Sequence, residues 1–256
     1  MCVLLLALKQ HPNYPLIAAA NRDEFYHRPT SPAAFWADAP NVLAGRDLQQ
    51  GGTWLGITRD ARFAALTNFR SEGPNNADAP SRGHLIGDFL VGNDTPQRYV
   101  DRLAERADEY NGFSLVVGQG ESWYFYSNRE NEVRALGPGV YGLSNYLLDT
   151  PWPKVIQGKE AVKRLLSDNG SLLAQDLFAI LADRAVADDS ALPNTGVSLE
   201  HERLFSSLFV VSTEYGTRSS TVVLVGNERI SFEERTYERG SQAYSRVTHS
   251  FPLSLH

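Results

Sequence analysis

The first 25 residues, MCVLLLALKQHPNYPLIAAANRDEF (1–25), contain the pattern that decides the fold. CVLLLAL (2–8) and LIAAANRDEF (16–25) have strand-like composition, and KQHPNYP (9–15) between them indicates a Pro/Asn turn. We therefore predict two adjacent strands joined by a short loop. The first strand is apolar at successive positions, which is typical of a strand that is covered on both faces.

Outward from this pair, strand-like and helix-like stretches follow in blocks. TWLGITRD and RFAALTNFR (53–70) predict a hairpin, and TPQRYVDRLAERADEYNG (95–112) predicts a helix with Thr95 as its N-cap. Residues 153–167 and 171–183 predict two further helices, and residues 207–237 predict three strands.

Two long stretches lack a clear period. Pro29 to Gly52 is rich in Pro, Ala, Asp and Gly and predicts an irregular excursion, and the polar stretch from about Arg184 to Glu202 predicts a loop that is a candidate gate. The block order favours an α+β fold with antiparallel sheets and helices packed outside them, in a single domain over residues 1–256. A doubly wound parallel sheet is the weaker alternative, because no Gly-rich phosphate loop opens a helix.

Charge and composition narrow the classes of function. The formal net charge is −6, and the chain has no cluster of Lys or Arg, which argues against nucleic acid and anionic membranes as partners. The apolar run Val3–Leu8 is too short to span a bilayer. One cysteine forms no internal disulfide, which fits a reducing compartment, so we predict a cytoplasmic protein with no transmembrane segment.

Cys2 is that single cysteine, and two interpretations of it stand at this point. It is either a small buried strand residue or, once Met1 is removed, a thiol and an α-amine on one residue. The reference pKa of an α-amine is about 7.7 to 8.0, so its neutral form can accept the thiol proton. In the second interpretation, one residue supplies both the nucleophile and the base.

Polar residues at other strand ends extend this hypothesis. Arg22 and Asp23 follow the apolar LIAAA, where Arg22 would lower the thiol pKa and Asp23 would hold the α-amine; a solvated strand end is the alternative. Asn68 and Asn145 each lie where a strand passes into a loop, and an amide there can stabilise an oxyanion or simply favour a turn. Arg218 begins an apolar strand and faces either a site or solvent.

The histidines offer no metal site by their spacing. The six histidines show no metal-ligand pattern, and no G-x-S-x-G elbow is present, so we predict neither a metal nor a serine triad. A single axial histidine needs no spacing motif, which leaves haem open as a ligand.

Seven motifs in order resemble the NRDE family, which is also called the Transport and Golgi organisation protein 2 family. They are Cys2 directly after Met1, NRDE (21–24), GGTWLGI (51–57), TNFR (67–70), SRGHL (81–85), GLSN (142–145) and GTRSST (216–221). The resemblance runs nearly from end to end of the chain. It implies a fold similar to the N-terminal-nucleophile hydrolases, a four-layer αββα sandwich of two antiparallel sheets flanked by helices.

Within those hydrolases, the family resembles the cysteine branch that contains penicillin V acylase and bile-salt hydrolase. This resemblance implies Cys2 as the nucleophile, Arg22 and Asp23 beside it, Asn68 and Asn145 near the oxyanion, and Arg218 as a further polar residue of the site. The sequence departs from the characterised amidases in one respect, since Arg22 and Asp23 are adjacent here and are separated by two residues there.

The resemblance implies two kinds of function. The first is thiol-dependent amide hydrolysis or acyl transfer on a small acylated substrate through Cys2, with no cofactor required. The second is a non-catalytic carrier that uses the same cleft for haem or for acyl-coenzyme A or another lipid, since family members are implicated in haem trafficking, lipid handling and secretory organisation. Aromatic residues that could line such a cleft are Trp36, Trp54, Phe69 and Tyr146.

Overall fold

The computed structural model describes residues 2–70, 75–168, 172–239 and 243–254. Contacts along the chain define two compact units, between which the backbone passes more than once. The first unit comprises Met1–His27, Pro138–Ser144 and Leu148–Ser250, and the second comprises Arg28–Gly137, Asn145–Leu147 and Phe251–His256. Two such interleaved units are compatible with one domain or two, so the single domain over residues 1–256 stays a prediction.

One sheet forms the framework of the first unit. Its strands, numbered along the whole chain, are β1 (Val3–His11), β2 (Tyr14–Phe25), β10 (Gly139–Leu143), β11 (Tyr215–Val225), β12 (Arg229–Tyr237) and β13 (Tyr244–Pro252). Their order across the sheet is β10-β1-β2-β11-β12-β13. The predicted pair at the start of the chain is present, because Val3 pairs with Asn21 and Leu8 with Leu16.

Helices cover one face of this sheet. They are α3 (Pro153–Ser167), which packs on β1 and β10, and α4 (Ala174–Leu181), which packs on β2 and β11. A shorter helix, α5 (Leu199–Phe205), precedes β11 in the same unit. Odd-numbered residues of the first two strands, such as Leu5 and Ile17, share a core with Val162 and Phe178 of the helices. Even-numbered neighbours such as Leu4 are also buried, as the continuous apolar run predicts.

The second unit contains another sheet with its own helices. Its strands are β3 (Thr30–Phe35), β4 (Val42–Asp47), β5 (Leu55–Thr58), β6 (Phe63–Asn68), β7 (Phe113–Gln119), β8 (Ser122–Ser127) and β9 (Glu132–Ala135), in that order across the sheet. The helices α1 (Gly83–Val91) and α2 (Pro96–Ala104) pack on it through residues such as Phe89 and Val100. Thr95 caps α2 by accepting a hydrogen bond from the Arg98 N–H, as predicted.

The α+β class is therefore confirmed: the chain contains two antiparallel sheets flanked by helices. Every strand pair whose register the structure describes is antiparallel, which rules out the doubly wound parallel alternative for those strands. Among the described residues, no helix combines the length and the hydrophobicity needed to cross a membrane.

Three details of the sequence prediction are wrong. Pro29 to Gly52 is not irregular, because it contains β3 and β4; β3 is an edge strand, which tolerates Pro32 and hides its pattern. Residues 207–237 hold two strands, since the segment before Tyr215 makes only an isolated bridge between Val211 and Gly216. The prediction missed β13, whose mostly exposed side chains give no apolar alternation.

Candidate functional site

Cys2 lies one residue before β1, at the end of the sheet where β1, β2 and β10 meet. The last described pair of the hairpin is Val3 with Asn21, so the antiparallel register continues to place Cys2 opposite Arg22. The thiol is partly buried, and its Sγ lies 4.0 Å from the main-chain oxygen of Asp23. Ser144, at the end of β10, donates its hydroxyl hydrogen to the Cys2 carbonyl at 2.8 Å.

Arg22 and Asp23 point to opposite faces of β2, because successive side chains of a strand alternate. Asp23 follows the odd-numbered residues that face the helices, and Asn21 on that same face donates to the carbonyls of Leu181 and Leu208. Arg22 is on the other face, 3.9 Å from the Glu24 carboxylate. The adjacency that distinguishes this sequence thus puts the guanidinium and the carboxylate on different sides of the sheet.

Asp23 is held by β11. Its Oδ1 accepts a hydrogen bond of 2.7 Å from the Thr217 hydroxyl, and its main-chain oxygen accepts one of 3.0 Å from the Tyr215 hydroxyl. Thr217 in turn accepts a hydrogen bond from the Val210 N–H at 2.9 Å. The Asp23 side chain is only 3% exposed, so the Thr217 hydroxyl rather than bulk water binds its Oδ1.

Arg218 occupies an irregularity in the pairing of β11 with β2. Thr217 pairs with Asp23 and Ser219 with Arg22, so Arg218 is the extra residue of a β-bulge. Its guanidinium donates to the main-chain carbonyls of Phe25 and Tyr26 at 2.8 and 3.1 Å. The structure thus places Arg218 in the same strand region as Arg22 and Asp23, and it shows a role in fixing the end of β2.

Burial raises the pKa of the Cys2 thiol, and the negative charge of Asp23 adds to the increase. The positive charge of the amino terminus is the largest effect that lowers this pKa, followed by the hydrogen bond to the Asp23 carbonyl and the positive charge of Arg22. The sequence argument that Arg22 favours the thiolate is right in sign, but burial outweighs it. Little thiolate is therefore present near neutral pH, and nucleophilic attack by Cys2 requires a base.

Burial also raises the pKa of the Asp23 carboxyl. The positive charges of the amino terminus and of Lys154 lower it, as does the hydrogen bond from Thr217. Lys154 lies in the first turn of α3 and is 1% exposed. Asp23 is thus a buried carboxyl group that interacts with two cationic groups.

Asn68 and Asn145 both belong to the second unit, where the structure brings them together. The Asn145 side-chain amide donates to the main-chain carbonyl of Asn68 at 2.8 Å, and the Arg70 N–H donates to the Asn145 carbonyl at 2.7 Å. Asn145 has a φ of +52°, a left-handed conformation that asparagine adopts more readily than most residues. The conformational explanation of this asparagine therefore holds, and its predicted role near an oxyanion stays a prediction.

Sequence reasoning missed three residues around Cys2 and Asp23, namely Ser144, Lys154 and Thr217. Ser144 and Thr217 lie inside the GLSN and GTRSST motifs, next to residues that were singled out. Lys154 was detectable in principle, since a lysine directly after the proline that starts a helix opposes the helix dipole. Their partners come from distant segments, which a single sequence does not reveal.

Several histidines make local contacts. His84 Nε2 is 2.7 Å from the Gln50 carbonyl oxygen, and His201 Nδ1 is 2.8 Å from the Ser198 hydroxyl. In the part of the chain that the structure describes, no three His, Cys, Asp or Glu side chains are grouped so that they could hold a metal ion.

Comparison with known proteins adds to this geometry. The family model described as Transport and Golgi organisation 2 matches residues 1–239. The Transport and Golgi organization protein 2 homologs of Bos taurus and Homo sapiens are 37% and 35% identical over 275 residues, covering 99% of this chain and 99% of each relative. The Transport and Golgi organization protein 2 of Drosophila melanogaster is 33% identical over 267 residues, and the aligned region covers 92% of this chain and 92% of that protein.

Two solved structures are similar at low identity. An N-acylethanolamine-hydrolyzing acid amidase ortholog from Caenorhabditis elegans has a TM-score of 0.47 at 14% identity, covering 87% of this chain and 92% of its own. A mutant conjugated bile acid hydrolase from Clostridium perfringens has a TM-score of 0.47 at 9% identity, covering 100% and 97%. The extent of the family match and of the animal relatives establishes that this chain belongs to the Transport and Golgi organisation 2 family.

Proposed function

We propose that this protein uses Cys2, after removal of Met1, for thiol-dependent cleavage of a C–N bond or for acyl transfer on a small acylated substrate. The observation that carries the proposal is the position of Cys2 at the polar end of the β1–β2 pair. The thiol lies 4.0 Å from the Asp23 carbonyl oxygen and next to Arg22 in the strand register. A cysteine with a purely structural role would need neither this main-chain acceptor nor a guanidinium group on the same face of the sheet.

The proposed reaction has two steps. In the first, Cys2 Sγ attacks the carbonyl carbon of the amide, the C–N bond breaks, and the departing nitrogen receives a proton from the α-ammonium group. The product of this step is a thioester on Cys2 and a released amine. In the second step, water or an acceptor alcohol or amine attacks the thioester carbonyl and gives up its proton to the α-amine. The C–S bond then breaks, and the resulting α-ammonium returns that proton to the departing sulfur, which regenerates the thiol and the neutral amine.

The α-amine is the base that this scheme needs. Burial raises the pKa of the Cys2 thiol, so the thiol must lose its proton to a neighbour before it can attack. An amine on the same residue can accept that proton, and the Asp23 carboxylate is the group that would bind and orient the resulting ammonium. Asn145 and an amide near Asn68 are proposed to stabilise the oxyanion, as the family resemblance implies.

A carrier of haem or of an acyl chain is the second candidate function. One observation favours it: Phe69 and Tyr146 form an aromatic pair with ring centroids 4.6 Å apart, next in sequence to Asn68 and Asn145. Flat aromatic side chains of this kind are suited to contact a macrocycle or an acyl chain. Trp36 does not serve this role, since it is buried in the core of the second unit and donates its indole N–H to Ala44.

The decisive experiment begins with the intact mass of the purified protein, which shows whether Met1 is removed. The processed protein is then assayed against a panel of N-acyl amides, with Cys2→Ala and Cys2→Ser as matched variants. We expect hydrolysis by the native protein, loss of activity in Cys2→Ala, and a residual rate at most in Cys2→Ser. Equal urea midpoints for the three proteins would show that the fold is intact.

Two outcomes would contradict the enzymatic proposal. Retention of Met1 would remove the α-amine from Cys2 and with it the base. Activity that persists in Cys2→Ala would place the chemistry elsewhere. If no amide is cleaved, titration with haem followed at the Soret band tests the carrier, for which Phe69→Leu should weaken a saturable spectral change.

A further inference from the structure

Lys154 is a buried cation at an unfavourable position. It follows Pro153 in the first turn of α3, where the helix dipole is positive, and its exposed fraction is 1%. A lysine is rarely buried completely unless an anion compensates it, and burial beside a helix N-terminus adds a second unfavourable effect. Both effects point to a negative charge close to Lys154.

Asp23 is the candidate for that negative charge, because its carboxyl group is buried on the face of the first sheet that the helices cover. The Asp23 side chain lies on the helix-covered face of β2, and the positive charge of Lys154 acts on it favourably. The Asp23 carboxylate is 3% exposed and is already oriented by the Thr217 hydroxyl at 2.7 Å. An ammonium and a carboxylate thus share one buried region on the side of the sheet opposite Arg22.

Close packing of α3 on the sheet holds Lys154 in this region. A Cβ atom on Gly142 would lie 2.8 Å from Val155 Cγ1, so glycine at this position permits the helix start to approach β10. Asp149 strengthens the same junction, since its carboxylate accepts hydrogen bonds from the Gly142 N–H at 2.8 Å and from Lys159 at 2.6 Å. The first turn of α3 is therefore fixed beside the strand end that carries Cys2.

We propose that Lys154 is a positioning residue of the Cys2 site, whose ammonium group holds the Asp23 carboxylate in its charged form on the helix side of β2. A charged Asp23 can form an ion pair with the α-ammonium of Cys2, whereas a protonated one offers only the weaker hydrogen bond of a neutral acceptor. This role rests on the proposed function only for what Asp23 does with the α-amine.

The groups around Asp23 determine its pKa and therefore how the stability of the protein depends on pH. The amino terminus, Lys154 and the Thr217 hydroxyl favour the carboxylate, and Glu24 and burial oppose it. Since the folded-state pKa lies above the unfolded value, folding favours the protonated form. Relative to Asp23→Asn, the native protein loses stability as the pH rises from the unfolded to the folded pKa, and the loss then levels off.

Urea unfolding as a function of pH tests the proposal without any substrate. We measure how much Asp23→Asn raises the urea midpoint at each pH. This difference is measured once with Lys154 present and once in the Lys154→Met variant. We expect this difference to grow with pH in both, and to level off at a higher pH in the Lys154→Met background. Intact mass confirms that all four proteins have the same amino terminus.

Lys154→Arg is the matched control, because it keeps the charge and should keep the native curve. If Lys154 contributes only packing, Lys154→Met lowers every midpoint by the same amount and the two curves coincide, which overturns the proposal. If the curve shifts but the protein cleaves no amide, the role proposed for Lys154 stands and the enzymatic function is refuted. Coincident curves in an active enzyme would do the reverse.

Discussion

The two halves of β2 are buried to the same depth, although one is apolar and the other is polar. Leu16 and Ile17 are 3% and 1% exposed, and Arg22 and Asp23 are 5% and 3% exposed. Removal from water stabilises the apolar half directly. The polar half loses its hydration on folding, so each of its groups depends on a specific partner.

This difference separates shape from chemistry within one strand. The apolar half needs neighbours of matching shape and volume, whereas Asn21 and Asp23 also need donors and acceptors at defined positions on β11 and on the segments before it. Such a costly polar cluster at the chain terminus is typical of a functional site rather than of a scaffold. The predictions below test the two halves against each other.

The largest effect is expected from Asn21→Ala. The side-chain amide of Asn21 donates to the Leu181 and Leu208 carbonyls at 2.8 and 2.9 Å and accepts a hydrogen bond from Ser220. Its removal leaves buried polar groups unsatisfied, at a cost of about 3 kcal/mol in the free energy of unfolding. Urea unfolding followed by tryptophan fluorescence measures this.

Asn13→Ala is the matched control for that variant, since Asn13 is exposed in the turn of the same hairpin. It should change the free energy of unfolding by less than about 0.5 kcal/mol. Equal losses of unfolding free energy in the two variants would mean that the buried hydrogen bonds of Asn21 contribute no more to stability than an exposed residue of the turn.

Gly142→Ala should have the next largest effect, because the added methyl group would push the start of α3 away from β10. The added methyl would lie 2.8 Å from Val155 Cγ1, and overpacking of this kind costs about 2 kcal/mol in the free energy of unfolding. Gly137→Ala is the control, since a Cβ there has no atom within 4 Å. A neutral Gly142→Ala would show that the helix start is loosely placed, and Lys154 with it.

The sequence predicted the apolar half of β2 better than the polar half. Hydrophobic pattern and turn chemistry located the β1–β2 pair, because both are local properties of the chain. The motifs located Cys2, Arg22, Asp23 and Arg218, which the structure places at one end of the first sheet.

The partners of the polar half were not predictable in the same way. Thr217 and Lys154 reach Asp23 from segments far along the chain, and their position depends on strand order and helix packing rather than on local sequence. The bulge at Arg218 likewise arises from the register of β11 against β2. Edge strands such as β13 were missed for a related reason, since exposed positions impose no periodicity.

Ile17→Val tests the apolar half by removing one methylene group. Ile17 is 1% exposed and lies in the core beneath the helices of the first unit, so the loss should be about 1 kcal/mol in the free energy of unfolding. The same loss is expected at every pH, because no titrating group is touched. A loss that varies with pH would show that the two halves of β2 are coupled.

The smallest effect is expected from Arg22, whose positive charge lies on the same face of the sheet as the Cys2 thiol and acts on the thiol pKa. Cys2 is the single cysteine, so the rate of alkylation by iodoacetamide reports on it alone. Burial raises the pKa of this thiol, and the rate should therefore rise with pH through a midpoint above that of the urea-unfolded chain. Arg22→Met should move the midpoint slightly further up, because Arg22 favours the thiolate weakly.

Arg22→Lys keeps a positive charge and is the control for this shift. Mass spectrometry of the alkylated protein across a pH series gives the midpoint for each variant. An unchanged midpoint in Arg22→Met would mean that the guanidinium does not act on the thiol. A lowered midpoint would mean that the variant has exposed the thiol, so that relief from burial outweighs the lost charge, and the polar half of β2 would then act on Cys2 through packing rather than electrostatics.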